Sequence, residues 1–173
     1  MTSTLVVGPA RASRSRYAAS LLDAHPHVTL LSAHAADDVD TLRGHGVPEH
    51  WQVLETLDLT RALLGARNPV IVDDLPAWVA RTLDERDLWQ DRDQARETID
   101  GLAEEACLGL SALPFETVAI SYELAPDGTP RGRVLADLVE RVNARVSASS
   151  TFVHEVRVGR ILDLTDAPLA PEL

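Results

Sequence analysis

The sequence contains no lysine, so that arginine supplies all 16 of its basic side chains. It also contains a single cysteine, Cys107, which excludes an internal disulfide bond and fits a reducing compartment. No apolar run approaches the ~20 residues that a membrane-spanning helix needs, and the first residues carry no basic signal segment. These absences predict a cytoplasmic protein without a membrane span.

Acidic residues outnumber basic ones, and the net charge is −11. This excess argues against a nucleic-acid partner, because the two polyanions would repel each other. It does not exclude a single nucleotide, since a few arginines and backbone N–H groups can bind one anion against the overall field. The length of 173 residues and a hydrophobic share of 45% suit one domain with a real core. We expect residues 1–165 to form this domain and the proline-rich residues 166–173 to form a frayed tail.

Short apolar runs alternate with helical patterns along the chain. The patterns predict strands at residues 4–7, 28–32, 70–73, 117–121 and 152–158. They predict helices at residues 15–24, 56–64, 76–89, 92–113 and 133–148. The first four strands are continuously apolar, which is typical of parallel strands buried on both faces. The alternation predicts a three-layer α/β/α fold with a mostly parallel sheet.

The junction between the first strand and the first helix carries half of a phosphate-binding signature. In the Walker A pattern, G-x-x-x-x-G-K-[ST], backbone N–H groups at a helix N-terminus surround a phosphate. Gly8 and Ser15 match the first and last positions, whereas Ser13 replaces the second glycine and Arg14 replaces the lysine. Because the whole chain lacks lysine, Arg14 is consistent with a general drift from lysine to arginine. The two are not equivalent, since a planar guanidinium needs more room than an ammonium group.

Three arginines cluster at this junction: Arg11, Arg14 and Arg16. Guanidinium groups can bind phosphate through two parallel hydrogen bonds. The alternative is a solvated start of a helix. Three cations at a helix N-terminus oppose the helix dipole, so the cluster either favours a nearby anion or costs some stability.

The apolar run at residues 70–73 ends in Asp73, as a Walker B strand does. The carboxylate at such a position lies near the Mg²⁺ that accompanies the phosphates. The alternative is a plain strand followed by a helix, with Asp74 as its N-cap and Pro76 in its first turn. The sequence leaves both interpretations open.

Residues 34–51 form an irregular segment that includes Gly44, His45 and Gly46. Exposed loops often carry function, and His45 has the chemistry of a nucleophile or a general base. The alternative, an ordinary surface histidine, is the commoner case. The spacing of histidine and cysteine in the chain matches no zinc pattern.

Four segments, in this order and at this spacing, resemble the bifunctional adenosylcobinamide kinase / adenosylcobinamide-phosphate guanylyltransferase family of cobalamin biosynthesis. Residues 6–16 are similar to the family's G-G-A-R-S-G-K-S-R loop, and residues 48–55 to its P-x-H-W-x-T-x-E segment. Residues 72–78 are similar to the acid-C-L-T-x-W segment after its Walker B strand. Residues 119–124, with 133–145, are similar to its V-x-N-E-V-G strand end and the helix that follows. The resemblance runs from about residue 4 to residue 164.

The resemblance implies a P-loop NTPase-like fold, a homotrimer and two reactions. One reaction phosphorylates the aminopropanol hydroxyl of cobinamide with a nucleoside triphosphate, and the other transfers GMP from GTP through a guanylyl-histidine. It implies GTP or ATP as substrate with Mg²⁺, held here by Ser15 and Asp73. The positions that match family residues are Gly8, Ser15, Glu55, Asp73 and Asn143.

The chain also departs from the family pattern, at Ser13, Arg14 and Tyr122, where the family has glycine, lysine and asparagine. Arg43 stands where the family has its guanylylated histidine. His45 corresponds to that histidine only if this chain carries a local deletion relative to the family. We expect catalysis by His45, Arg14 and Asp73, and a purine nucleotide bound by Gly8, Arg11, Ser13, Arg14, Ser15, Arg16, Glu55 and Asp73. The alternatives are a degenerate homologue that acts as a nucleotide-independent partner or regulatory subunit, and a different small-molecule transferase on the same scaffold.

Overall fold

The computed structural model describes residues 2–34 and 47–170. The strands are β1 (Ser3–Val7), β2 (Thr29–Ser32), β3 (Gln52–Glu55), β4 (Val70–Asp73), β5 (Thr117–Ile120), β6 (Phe152–Arg157) and β7 (Arg160–Asp163). The helices are α1 (Arg11–Ser20), α2 (Leu59–Gly65), α3 (Leu75–Glu85), α4 (Arg92–Ala112) and α5 (Pro130–Ser149). Among these helices, none combines the length and the apolar character needed to cross a membrane.

All seven strands form one sheet in the order β3-β2-β4-β5-β1-β6-β7. Every neighbouring pair is parallel except β6 and β7, which are antiparallel. Strand β1 therefore lies between β5 and β6, and Leu5 pairs with both Ala119 and Val153. The prediction of a mostly parallel sheet is confirmed.

The two faces of the sheet bury separate apolar clusters. Leu5, Val72 and Ala119 pack on the side of helices α2, α3, α4 and α5. Their neighbours on the opposite face, including Val6 and Ile71, pack against α1 and Trp51. Because successive strand residues point to opposite faces, both faces need an apolar cover, which explains the continuously apolar strands. The α/β/α layers predicted from the sequence are confirmed.

Helix α1 begins earlier than the sequence predicts. It starts at Arg11 rather than at residue 15, and it ends at Ser20 rather than at residue 24. Ala10 is its N-cap and forms no side-chain cap hydrogen bond, and both Ser13 and Ser15 lie within the helix rather than at its start. A glycine at position 13 would disfavour a helix, whereas Ala12 and Ser13 are compatible with one. The helix therefore extends back toward β1.

The other helices carry side-chain caps at their N-termini. Asp74 accepts a hydrogen bond from the N–H of Ala77, and Pro76 lies in the first turn of α3, as predicted. Aspartate or threonine side chains also cap α2, α4 and α5. Among the five described helices, α1 alone leaves its first N–H groups without a side-chain cap.

Two strands were not predicted. Strand β3 lies at the edge of the sheet, and its mostly exposed residues lack the apolar pattern of a buried strand. Strand β7 follows β6 through Val158 and Gly159, which have φ angles of 45° and 72°. Two consecutive positive φ angles are typical of the tight turn in a β-hairpin. The predicted helix boundaries also differ: α2 begins at Leu59, α3 ends at Glu85 and α5 begins at Pro130.

Candidate functional site

The candidate site lies at the carboxyl ends of four central strands. Gly8 follows β1, His34 follows β2, Asp73 ends β4 and Tyr122 follows β5. From β1 the chain runs through α1 toward β2, whereas from the neighbouring β5 it runs through α5 past β1 to β6. In open α/β sheets, ligands bind where neighbouring strands send the chain in opposite directions.

Gly8 packs against the backbone of β6. Its φ angle is 148°, and a Cβ atom at this position would lie 2.3 Å from the carbonyl oxygen of Val156. Only glycine fits this contact without movement of the backbone. The glycine of the sequence motif therefore has a packing reason that is independent of any phosphate.

Arg14 lies in the first turn of α1, is 2% exposed, and its side chain reaches back to the end of β1. Its Nη1 donates a hydrogen bond to the carbonyl oxygen of Gly8, and its guanidinium carbon lies 4.6 Å from the centre of the Tyr122 ring. Burial lowers the pKa of Arg14 from its usual value, but a guanidinium group in a protein stays charged. The side chain thus contributes a fixed, buried positive charge at the end of β1.

Buried polar atoms without a hydrogen-bond partner are concentrated at this site. In the described part of the chain there are seven such side-chain atoms, and six of them belong to Arg11, Arg14, Ser15 and Asp73. The seventh is the hydroxyl of Thr82 on α3. An unpaired buried polar group costs roughly 1–3 kcal/mol, so such a concentration indicates a place where a ligand supplies the partners. The guanidinium donors suit an anion, and the Asp73 oxygens suit a cation.

Asp73 is 1% exposed at the end of β4. Burial, and after it the charge of Asp74, raise the pKa of Asp73 to about 6. The positive charges of Arg11 and Arg14 act in the opposite direction. The Asp73 carboxylate therefore lies in the field of both arginines.

Asp74 links the end of β4 to the segment that follows β2. Its Oδ1 accepts a hydrogen bond from the N–H of Ala77 at 2.8 Å, and its Oδ2 lies 3.3 Å from Nε2 of His34. This hydrogen bond to Asp74 is the main cause that raises the pKa of His34, and burial opposes it. The ligand atoms of His34, Asp73 and Asp74 all lie within 4.8 Å of one another.

The structure places the other residues of the predicted site apart from this cluster or at its margin. Ser13 is half-buried in the first turn of α1, and Arg16 is exposed on the same helix. Glu55 ends β3 and forms an ion pair with Arg81 at 3.0 Å, with β2 lying between β3 and β4. His45 lies outside the described residues.

Asn143 fixes the segment after β5. It accepts a hydrogen bond from the hydroxyl of Ser121 and donates one to the carbonyl oxygen of Tyr122 at 3.1 Å. It therefore supports Tyr122, which in turn contacts the Arg14 guanidinium.

Sequence reasoning assigned no site role to His34 or Tyr122. Both follow predicted parallel strands by one or two residues, and polar residues at such positions share one edge of the sheet. The sequence shows that a polar residue follows each of these strands. It does not show which strands are adjacent in the sheet, because adjacency depends on the strand order.

Two surface cavities lie away from the candidate site. One, of about 440 Å³, is at the amino ends of the strands and is lined in part by His25, Arg67 and Glu116. The other, of about 500 Å³, lies beside β3 and the end of α2. Neither contains Asp73 or an arginine of α1, so both are separate from the unpaired polar atoms.

The sheet is mostly parallel, a helix begins shortly after central strand β1, and the buried Asp73 ends central strand β4. This arrangement agrees with an α/β P-loop NTPase-like fold. The family model described as cobinamide kinase / cobinamide phosphate guanyltransferase matches residues 4–164, which is nearly the whole chain. The chain belongs to this family, whose role lies in cobalamin biosynthesis. Among curated proteins, none matches the chain.

Proposed function

We propose that the chain binds a purine nucleoside triphosphate at the carboxyl ends of β1 and β4 and transfers a phosphoryl group to a cobinamide-type molecule. The observation that carries this proposal is the set of buried atoms of Arg11, Arg14, Ser15 and Asp73 that have no partner among residues 2–34 and 47–170. These atoms combine donors for phosphate oxygens with a carboxylate for a metal ion. The family's own substrates, a nucleoside triphosphate and cobinamide, agree with this combination.

The phosphates would lie at the N-terminus of α1. Its first N–H groups have no side-chain cap, and the helix dipole favours an anion there. Arg11 adds two guanidinium nitrogens that have no partner in the described part of the chain, and Arg14 adds a buried positive charge. In a site of low polarity, such fixed positive groups stabilise the charge that develops during phosphoryl transfer.

The hydroxyl of Ser15 and the carboxylate of Asp73 fit Mg²⁺. Both are buried, and both are without partners among the described residues. Mg²⁺ prefers oxygen ligands and is usually bound by one or two protein groups together with phosphate oxygens. When bound, the ion would neutralise phosphate charge, while Ser15 and Asp73 fix its place beside α1.

Guanylyl transfer is the second reaction of the family, and we propose His45 as the residue that accepts GMP. The support is the sequence alone, which places His45 between two glycines in the segment after His34. Incubation of the chain with GTP, followed by intact-protein mass measurement, tests this step. A covalent GMP adduct that His45→Ala abolishes is expected, and no adduct would contradict it.

A product assay tests the proposed kinase function. The purified chain is incubated with cobinamide, Mg²⁺ and either GTP or ATP, and phosphorylated cobinamide is measured by mass spectrometry. We expect a product, and we expect Ser15→Ala and Asp73→Asn each to lower turnover by roughly 10²-fold. The matched control is Ser20→Ala, which removes an exposed hydroxyl from the last turn of α1.

A degenerate homologue without nucleotide chemistry is the second candidate function. Only residues 8–10 connect β1 to α1, and Arg14 is hydrogen-bonded to Gly8 inside this short turn. These observations favour a site that has lost part of its phosphate loop. Absence of any product from the folded chain would support this candidate. A large gain in turnover in the double variant Ser13→Gly with Arg14→Lys would show that only the loop has decayed.

We also propose that the chain forms a homo-oligomer, a trimer as the family resemblance implies. Apolar side chains are exposed on and beside the β6–β7 hairpin, namely Phe152, Val158, Ile161, Leu162 and Leu164. Burial of such a group against another copy would remove it from water. The hairpin is at one end of the sheet, where β7 is the edge strand and β6 pairs with β1.

A further inference from the structure

Three ligand atoms converge where β2 and β4 end. Strands β2 and β4 are neighbours, and Ser32 pairs with Asp73 in their parallel register. His34 follows two residues after Ser32, so the backbone brings its imidazole next to Asp73 and Asp74. The three residues are held by adjacent strands and by the first turn of α3.

One distance within this group matches that between two ligands of a shared metal ion. Nε2 of His34 and Oδ2 of Asp74 are 3.3 Å apart, which is long for a hydrogen bond. Neighbouring ligand atoms on a tetrahedral ion with bonds of ~2.0–2.1 Å are separated by ~3.3–3.4 Å. The separation of the His34 and Asp74 atoms therefore needs little change to accommodate an ion, and an Asp73 oxygen lies within 4.8 Å of both.

Asp73 supplies a second, independent observation. Its side chain is 1% exposed, and neither carboxylate oxygen has a hydrogen-bond partner among the described residues. One of these oxygens belongs to the group of atoms within 4.8 Å of one another. A buried carboxylate is costly unless it is protonated, paired or bound to a metal, and the unpartnered Asp73 oxygens fit a bound cation.

We propose that, when no nucleotide is bound, His34, Asp73 and Asp74 bind a divalent transition-metal ion, such as Zn²⁺, Co²⁺ or Mn²⁺, more tightly than Mg²⁺. The set offers one imidazole nitrogen and two carboxylates. Imidazole suits the later first-row metals, whereas Mg²⁺ prefers oxygen ligands and keeps its waters. The inference deepens the proposed function, on which it rests for the role of the ion beside a nucleotide.

The charge around the group sets the strength of binding. Asp73 and Asp74 carry two negative charges, and Arg11 and Arg14 bring two positive charges into the same field. A divalent ion alone therefore leaves the site positively charged. We expect micromolar binding without nucleotide, and tighter binding when inorganic phosphate is added.

Calorimetric titration of the tag-free, EDTA-treated chain tests the inference without any nucleotide. We expect one Zn²⁺ per chain, with an affinity at least ~10-fold higher than that for Mg²⁺. His34→Gln and Asp74→Asn should each weaken Zn²⁺ binding by roughly 10–100-fold. Asparagine retains the oxygen that accepts from Ala77, so Asp74→Asn preserves the cap of α3.

The matched control is His25→Gln. His25 lies 2.6 Å from Glu116 at the amino ends of the strands, and this pair is an alternative place for Zn²⁺. The inference requires that His25→Gln leaves the affinity unchanged. It is overturned if wild-type chain binds no Zn²⁺, if His34→Gln binds it as tightly as wild type, or if His25→Gln abolishes binding.

A measurement on the wild-type chain covers the case in which a variant does not fold. Zn²⁺ should shift the imidazole ¹⁵N signals of His34 among the six histidines, and a shift confined to other histidines would overturn the inference.

The outcomes also separate the two proposals. Zn²⁺ binding without cobinamide phosphorylation contradicts the proposed function alone, whereas phosphorylation with Mg²⁺ and no Zn²⁺ binding contradicts this inference alone.

Discussion

Gly8 shows how a motif residue can have a structural reason for its identity. A Cβ atom there would lie 2.3 Å from the Val156 carbonyl oxygen, and the φ angle of 148° is one that other residues rarely adopt. We expect Gly8→Ala to lower the free energy of unfolding by about 1–3 kcal/mol, because the backbones of β1 and β6 must separate. Urea denaturation, read as a shift of the midpoint at constant slope, measures this change.

Gly101→Ala is the control for this prediction. Gly101 is exposed in α4, and no described heavy atom outside the neighbouring backbone of its own helix lies within 4 Å of the Cβ position. Alanine at this helical site should raise stability by about 0.5–1 kcal/mol. Equal stability of Gly8→Ala and wild type would show that the contact with β6 is not as close as described.

Individual residues differ in how far the sequence reveals their roles. Asp74 and Pro76 were predicted as the start of a helix, because capping depends on residues three or four positions apart. His34 was not assigned, because its proximity to Asp73 depends on the pairing of β2 with β4. Local roles can therefore be predicted from sequence, whereas contacts between strand ends require the strand order.

Among the helices and strands, α1 is the element whose observed start affects the candidate site, because it differs from the predicted start. The family pattern implies a loop up to residue 14, but the helix includes Arg11, Ser13 and Arg14. The N–H of Arg14 donates to the carbonyl oxygen of Ala10 at 3.1 Å and closes the first turn. Under the proposed function, phosphate would be bound by the helix N-terminus and by arginine side chains more than by a wrapped loop.

The β6–β7 hairpin carries the prediction about assembly. Val158 is 90% exposed and Ile161 is 53% exposed, so their burial between copies would stabilise an oligomer. We expect light scattering to give the mass of a trimer for the wild-type chain and a lower mass for Ile161→Asp. The control is Leu108→Glu, which changes an exposed apolar residue on α4.

Either of two results would contradict this account of the hairpin. One is a monomeric mass for the wild-type chain at all concentrations tested. The other is loss of the oligomer in Leu108→Glu but not in Ile161→Asp, which would place the interface on α4. Gly159 in the sequence indicates a turn between two strands. The surface that β7 would contact on another copy is not encoded by any local pattern.

At the scale of the whole molecule, alternation of apolar runs and helical patterns was sufficient to predict the three layers. It was not sufficient to predict that β5 lies between β1 and β4, since this order results from packing between distant segments. That order brings the ends of four strands, and with them Arg14, His34, Asp73 and Tyr122, to one region. The site is therefore a property of the complete sheet rather than of the β1–α1 motif.

The central claim is that this region binds a purine nucleoside triphosphate. Its most direct test is calorimetric titration of the purified chain with GTP and with ATP, each with Mg²⁺. We predict micromolar binding of at least one nucleotide, weakened about tenfold or more in Asp73→Asn and in Arg11→Ala through loss of charge-assisted contacts. No detectable binding up to millimolar nucleotide, in a chain that is folded, would contradict the claim and favour a family member that retains the fold without the nucleotide chemistry.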